Sequence, residues 1–137
     1  MSDFFNWDSN KLSTQIKEMD NEHMELIRLM NVVYSSVEAK KSFPEIQKQL
    51  KALGSYTVKH FQDEEAYMEK VKFPGLNTHK IIHQKLLEQF GEYSQEFEKT
   101  KVLNEKFFRF LSVWLTSHIM SIDTKYGQHV QSQKKVG

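Results

Sequence analysis

Seven residues of this 137-residue chain have the types and spacings of metal ligands. His60 and Glu64 are four positions apart, as are His79 and His83, and on a helix that spacing stacks both side chains on one face. His118 and Asp123 are five apart. That is about 140° of rotation on a regular helix, so a wider turn is needed to bring them to one face. His23 stands alone in the run Met19-Asp20-Asn21-Glu22-His23. Imidazoles and carboxylates together suit first-row transition metals. The chain has no cysteine, which excludes thiolate metal sites, iron–sulfur clusters, disulfides and cysteine nucleophiles.

Each spacing alone is a weak signal. With six His and thirteen Glu in the chain, chance supplies about 0.6 His-x3-Glu pairs, about 0.25 His-x3-His pairs and about 0.2 His-x4-Asp pairs. Their product is about 0.03, and the required order along the chain lowers it further. A lone His on an apolar stripe is more often a hydrogen-bonded core residue than a ligand. Five of them with two carboxylates are another matter. The imidazoles would compete for too few acceptors, and a buried carboxylate is costly unless it is paired or binds a metal. Two octahedral ions offer twelve positions. Five imidazoles, two bridging carboxylates and one bridging oxide or hydroxide fill all but one. An open position on a redox-active pair is where a small ligand such as O2 would bind. Iron fits this donor set, with zinc, manganese and copper as competitors. The chain has no Glu-x2-His, the motif of carboxylate-rich diiron bundles. Fewer anionic ligands stabilise high-valent iron less, which favours reversible binding over oxidation of a substrate.

These residues must be carried by helices, because apolar residues recur at intervals of three or four and no stretch alternates with period two. The first helix is expected over about Lys17 to Lys40, with the stripe Met19, His23, Ile27, Met30, Tyr34 and Val37. The second is expected over about Pro44 to Val71, with Pro44 in the first turn and the stripe Leu50, Leu53, Thr57, His60, Glu64 and Met68. The third is expected over about Asn77 to Thr100, capped by Asn77 or Thr78, with the stripe His79, His83, Leu86, Phe90, Tyr93 and Phe97. The fourth is expected over about Val102 to Tyr126, with the stripe Leu103, Phe107, Leu111, Trp114, His118 and Ile122. The fold class is therefore all-α, an antiparallel up-down-up-down four-helix bundle in a single domain. Residues 1–16 are expected as an N-terminal arm with Phe4, Phe5, Trp7 and Leu12 available to pack on the bundle, residues 17–126 as the bundle, and residues 127–137 as a frayed tail. His129 falls in that tail and is expected to be solvent-exposed and not a ligand. Tyr126 is near enough to Asp123 to touch the site or to close the bundle's end.

Composition narrows the function classes. The chain is 39% hydrophobic and 27% charged with a net charge of +1, which excludes a strongly basic nucleic-acid binder and an acidic disordered chain. The N-terminus lacks a basic stretch followed by a long apolar run, and the uncharged run from Phe110 to Ile122 is too short to span a bilayer. A soluble, cytoplasmic protein is expected, with no membrane insertion, and a monomer, since no exposed apolar stripe demands assembly.

In this order and spacing the residues resemble the hemerythrin family, most closely its single-domain bacterial members. The family pattern is a His on the first helix, His-x3-Glu on the second, His-x3-His on the third and His-x4-Asp on the fourth. The chain has His23; His60 and Glu64; His79 and His83; His118 and Asp123. His60-Phe61 followed by Glu64-Glu65 matches as well, and the resemblance covers essentially the whole chain. It implies a non-haem diiron centre, oxo- or hydroxo-bridged, with O2 as its ligand. His79, His83 and His118 would hold one iron, His23 and His60 the other, and Glu64 and Asp123 would bridge. Trp114 and Leu115 would line the O2 pocket, though plain core packing explains Trp114 equally well.

The leading expectation is thus reversible O2 binding for transport, storage or delivery, a binding protein and not an enzyme. Three alternatives stay open. The first is an oxidase, peroxidase or nitric-oxide-handling enzyme at the same centre. The second is an iron store or metal buffer, and the third is a metal-free interaction bundle.

Overall fold

The three long helices form where the apolar stripes predict them. In the computed structural model, which describes residues 14, 16–114, 117–118 and 124–136, α1 spans Lys17–Glu38, α2 Phe43–Lys70 and α3 Leu76–Thr100. The fourth rod is made of two pieces, α4 at Glu105–Val113 and α5 at Thr124–Val136. Between them Trp114, Ser117 and His118 take the wider π-helical turn. Among the described residues there is no strand. The architecture is an antiparallel up-down-up-down four-helix bundle. The histidines record that direction reversal. His23 and His79 lie near the starts of α1 and α3, His60 in the second half of α2 and His118 near the middle of the fourth rod, so these and His83 meet at one level.

Local chemistry sets the helix boundaries. Ser42 caps α2, its hydroxyl accepting from the Glu45 N–H at 3.4 Å, and proline occupies the first turn. Asn104 caps α4, its side-chain oxygen accepting from the Phe107 N–H at 3.3 Å. The fourth rod therefore starts at Glu105 and not at Val102. At the head of α3 neither Asn77 nor Thr78 is the cap. Gly75 is, with no side-chain hydrogen bond. The chain leaves the ends of α1, α2 and α3 through lysines in the left-handed region, Lys40 (φ 55°), Lys72 (φ 56°) and Lys101 (φ 63°). Glycine is the usual residue there, because a Cβ is strained at positive φ.

The expected frayed tail is instead helical to Val136. Burial explains it: Tyr126 and Val130 pack with Ile16, Met19 and Met68 in a small apolar cluster. The helix runs so close beneath the N-terminal segment that a Cβ at Gly127 would collide with the Thr14 carbonyl. Thr14 in turn bonds the Asp20 carboxylate through its N–H (2.7 Å) and its hydroxyl (2.8 Å), tying this segment to the first turns of α1. His129 is accordingly half-buried, not solvent-exposed. Its Nε2–H donates to the Val71 carbonyl at 3.1 Å and its ring meets Phe73 edge-on. Of the expected arm, Phe4, Phe5, Trp7 and Leu12 lie outside the described residues.

The main apolar core fills the opposite end. Leu26, Met30, Val33, Leu53, Phe97, Phe107 and Leu111 are nearly or fully buried there. Between this core and the small cluster lies the layer of histidines. No helix among the described residues is long and apolar enough to cross a membrane.

Candidate metal centre

Glu64 stands at the middle of the layer, on the inner face of α2, with no solvent exposure. Its two carboxylate oxygens face different partners. Oε2 is 3.1 Å from His23 Nε2 and 3.3 Å from His60 Nε2. Oε1 is 3.0 Å from His83 Nε2 and 3.3 Å from His79 Nε2. Ligand-type atoms of His23, His60 and Glu64 lie within 4.8 Å of one another, and so do those of Glu64, His79, His83 and His118. Two groups of donors thus share one carboxylate. The structure brings together His23, His60, Glu64, His79, His83 and His118, all buried. Asp123 and Leu115 lie outside the described residues.

The electrostatics around Glu64 favour its charged form. Burial alone would push its pKa up. The nearby positive charge of His60 and the close imidazole nitrogens of His23, His60 and His79 outweigh burial and hold the carboxyl well below its ordinary range. Burial likewise pulls His60 down, but the Glu64 charge close by and the hydrogen bond to Glu22 raise it above its ordinary value. The donor set fits a cation. Among the described residues, His60 Nε2, His83 Nε2 and Glu64 Oε1 are buried and make no hydrogen bond of good geometry, although they lie close together. Lone pairs gathered so closely in a dry interior are costly unless something positive lies among them.

Two outer carboxylates orient the imidazoles. Glu22 Oε1 is 2.7 Å from His60 Nδ1, and Glu65 Oε2 is 2.8 Å from His83 Nδ1. A carboxylate only accepts, so each Nδ1 carries the proton. In the neutral imidazole Nε2 then presents its lone pair inward, the arrangement expected of a metal-ligating histidine. A third contact comes from α5, where the fully buried Tyr126 hydroxyl donates to Glu64 Oε2 at 2.8 Å. The sequence pattern placed Glu22 and Glu65 beside ligand positions but assigned them no role. It placed Tyr126 only near Asp123. The usable signal was adjacency, since Glu22 precedes His23 and Glu65 follows Glu64.

Aromatic rings close the site toward the main core. Phe61 stacks flat on His83, with centroids 3.8 Å apart and planes 3° from parallel. It also lies 6.0 Å from the His118 ring and 5.6 Å from Trp114. Trp114 is 2% exposed. The result is an imidazole-lined chamber with an apolar wall. The arrangement can hold one or two cations, keep water from them and leave few anionic groups around them.

Comparison with known proteins agrees with this geometry. The profile of the hemerythrin HHE cation binding domain matches residues 14–130. Bacteriohemerythrin of Methylococcus capsulatus is 30% identical over 122 residues, which span 88% of this chain and 92% of that protein. A hemerythrin-like protein of Naegleria gruberi is also 30% identical over 122 residues, 89% of this chain and 90% of its own. The crystal structure of wild-type hemerythrin superposes with a TM-score of 0.83 at 29% identity, covering 91% of this chain and 96% of that one. A leucine-to-alanine mutant of hemerythrin superposes at 0.85 with 28% identity, covering 93% and 97%. The chain belongs to the hemerythrin HHE cation-binding family.

Proposed function

We propose that this member of the hemerythrin family binds O2 reversibly at a non-haem diiron centre, for transport, storage or delivery. His79, His83 and His118 would hold one iron and His23 and His60 the other, with Glu64 and Asp123 as the carboxylates shared between them. The observation that carries the reading is the division of Glu64: one oxygen faces each imidazole group. When bound, the iron pair supplies reversible electron exchange with O2.

The chain's own residues make that exchange reversible. Glu22 and Glu65 hold His60 and His83 with Nε2 inward. Phe61 and Trp114 wall the chamber on the side of the main core, excluding the water and protons that drive irreversible oxidation. The Tyr126 hydroxyl donates to Glu64 Oε2, which steadies the shared carboxylate. Five imidazoles against two carboxylates disfavour high-valent iron, which favours reversible binding over oxidation of a substrate.

Anaerobic loading with ferrous iron followed by metal analysis tests the ligand assignment. About two irons per chain are expected, with a Mössbauer spectrum of two distinct sites. His83→Ala should retain less than the full complement. A wild-type chain that holds one ion or none contradicts the proposal.

A further inference from the structure

A cleft of about 460 Å³ runs between α3 and α4, outside the histidine chamber but reaching it at one end. The antiparallel helices order its lining. Tyr93 and Lys106 stand at one end, Leu86, Phe110 and Val113 along the middle, and Trp114 and His118 at the inner end. We propose that this cleft binds an amphipathic organic monocarboxylate. Its head group lies at Lys106 and Arg109, and its apolar body runs inward toward Trp114.

Three observations converge on that class of ligand. First, the walls are chiefly apolar and the volume is that of an ordinary small-molecule site, within about 300–1,000 Å³. Second, the charges in the lining are all of one sign. Lys106 and Arg109 contribute to it, no Asp or Glu does, and neither cation forms an ion pair among the described residues. An anionic head is complementary to that pair, and Arg is suited to grip a carboxylate through two parallel N–H bonds. Third, the inner end of the cleft is closed by Trp114, which is 2% exposed, so its deep part offers indole and aliphatic surface that suits an apolar chain and no charged group. Val113, 55% exposed, forms an apolar lip through which such a ligand enters.

A purely apolar ligand would leave the cations unmet, and a compact inorganic anion would leave the apolar walls wet. The cleft is formed by the protein alone, so the inference holds or fails independently of the iron.

Isothermal titration calorimetry of the full chain with octanoate, octanol and inorganic phosphate tests it. Octanoate should bind saturably, with octanol and phosphate each at least about tenfold weaker. The double variant Lys106→Ala with Arg109→Ala changes two exposed side chains and should weaken octanoate by about tenfold. Leu86→Trp, checked for an unchanged circular dichroism spectrum, should fill the cleft and abolish binding. Octanol binding as tightly as octanoate overturns the proposal. So does phosphate binding that Leu86→Trp leaves intact, loss of no affinity in the double variant, or absence of saturable binding by octanoate.

Discussion

At one end of the bundle Leu53, Phe97, Phe107 and Leu111 meet in a dry apolar core. At the other, on the same helices, five imidazoles close on one buried carboxylate. The apolar end is complete in itself, because each buried group gains by leaving water and needs no partner of a particular kind. The histidine end is not. Glu64 is charged in a fully buried position, and Nε2 atoms of His60 and His83 converge on it without well-formed hydrogen bonds. The difference separates stability from function. One end holds the helices together, and the other accepts a layer of buried polar groups in exchange for a place to hold cations. The small cluster of Ile16, Met19, Met68, Tyr126 and Val130 closes the histidine layer from below, so that it lies between two apolar masses.

If this division holds, substitutions at the two ends have opposite signatures. The largest effect is expected at Glu64→Ala. Removing the carboxylate shared by both imidazole groups should abolish the paired centre, read as a fall from about two irons per chain to fewer than one. Phe107→Ala attacks the apolar end. Loss of a fully buried phenyl ring should lower stability by about 3–5 kcal/mol in urea denaturation. Below the unfolding midpoint its iron stoichiometry should stay at the wild-type value. If Phe107→Ala loses iron while still folded, the two ends are not separable.

A smaller effect is expected from the outer carboxylates. Glu65→Gln replaces the group 2.8 Å from His83 Nδ1, and Glu22→Gln the group 2.7 Å from His60 Nδ1. Each should weaken iron binding by about 10–100-fold in a chelator competition, with little change in the stability of the metal-free chain. The smallest effect belongs to the exposed network outside the site. Lys59 lies 2.8 Å from Asp63 and 3.8 Å from Glu22, and its side chain is 60% exposed. Lys59→Ala should leave the urea midpoint almost unchanged, and any small difference should fade at high salt.

Much of this was legible in the sequence, and the residues that were not share physical reasons. Stripes at intervals of three or four identified the long helices and the positions of His23, His60, Glu64, His79, His83 and His118. They did so because burial on one helix face is what such spacing means. The ends of α1, α2 and α3, expected at about Lys40, Val71 and Thr100, fall at Glu38, Lys70 and Thr100, although Lys40, Lys72 and Lys101 sit at positive φ where glycine is the usual mark. The helical tail was hidden because its own composition is polar. Only its packing through Tyr126 and Val130 on Ile16 and Met68 keeps it ordered, and that contact joins distant parts of the chain. The five-residue interval from His118 to Asp123 calls for a wider turn after His118, and residues 119–123 lie outside the described residues; the π-helical geometry at Trp114, Ser117 and His118 leads up to that interval. Glu22 and Glu65 escaped because a charged residue beside a buried one looks like the solvated face of a helix until the fold shows which ring it touches.

The central claim is reversible O2 binding, and an optical spectrum taken through one cycle tests it most directly. The iron-loaded protein is reduced anaerobically, exposed to O2 and then deoxygenated. A colourless sample that gains a visible charge-transfer band with O2, and loses it when O2 is removed, is the predicted result. A band that never forms, or one that decays at once to a ferric spectrum that deoxygenation does not reverse, would contradict it and favour an oxidase.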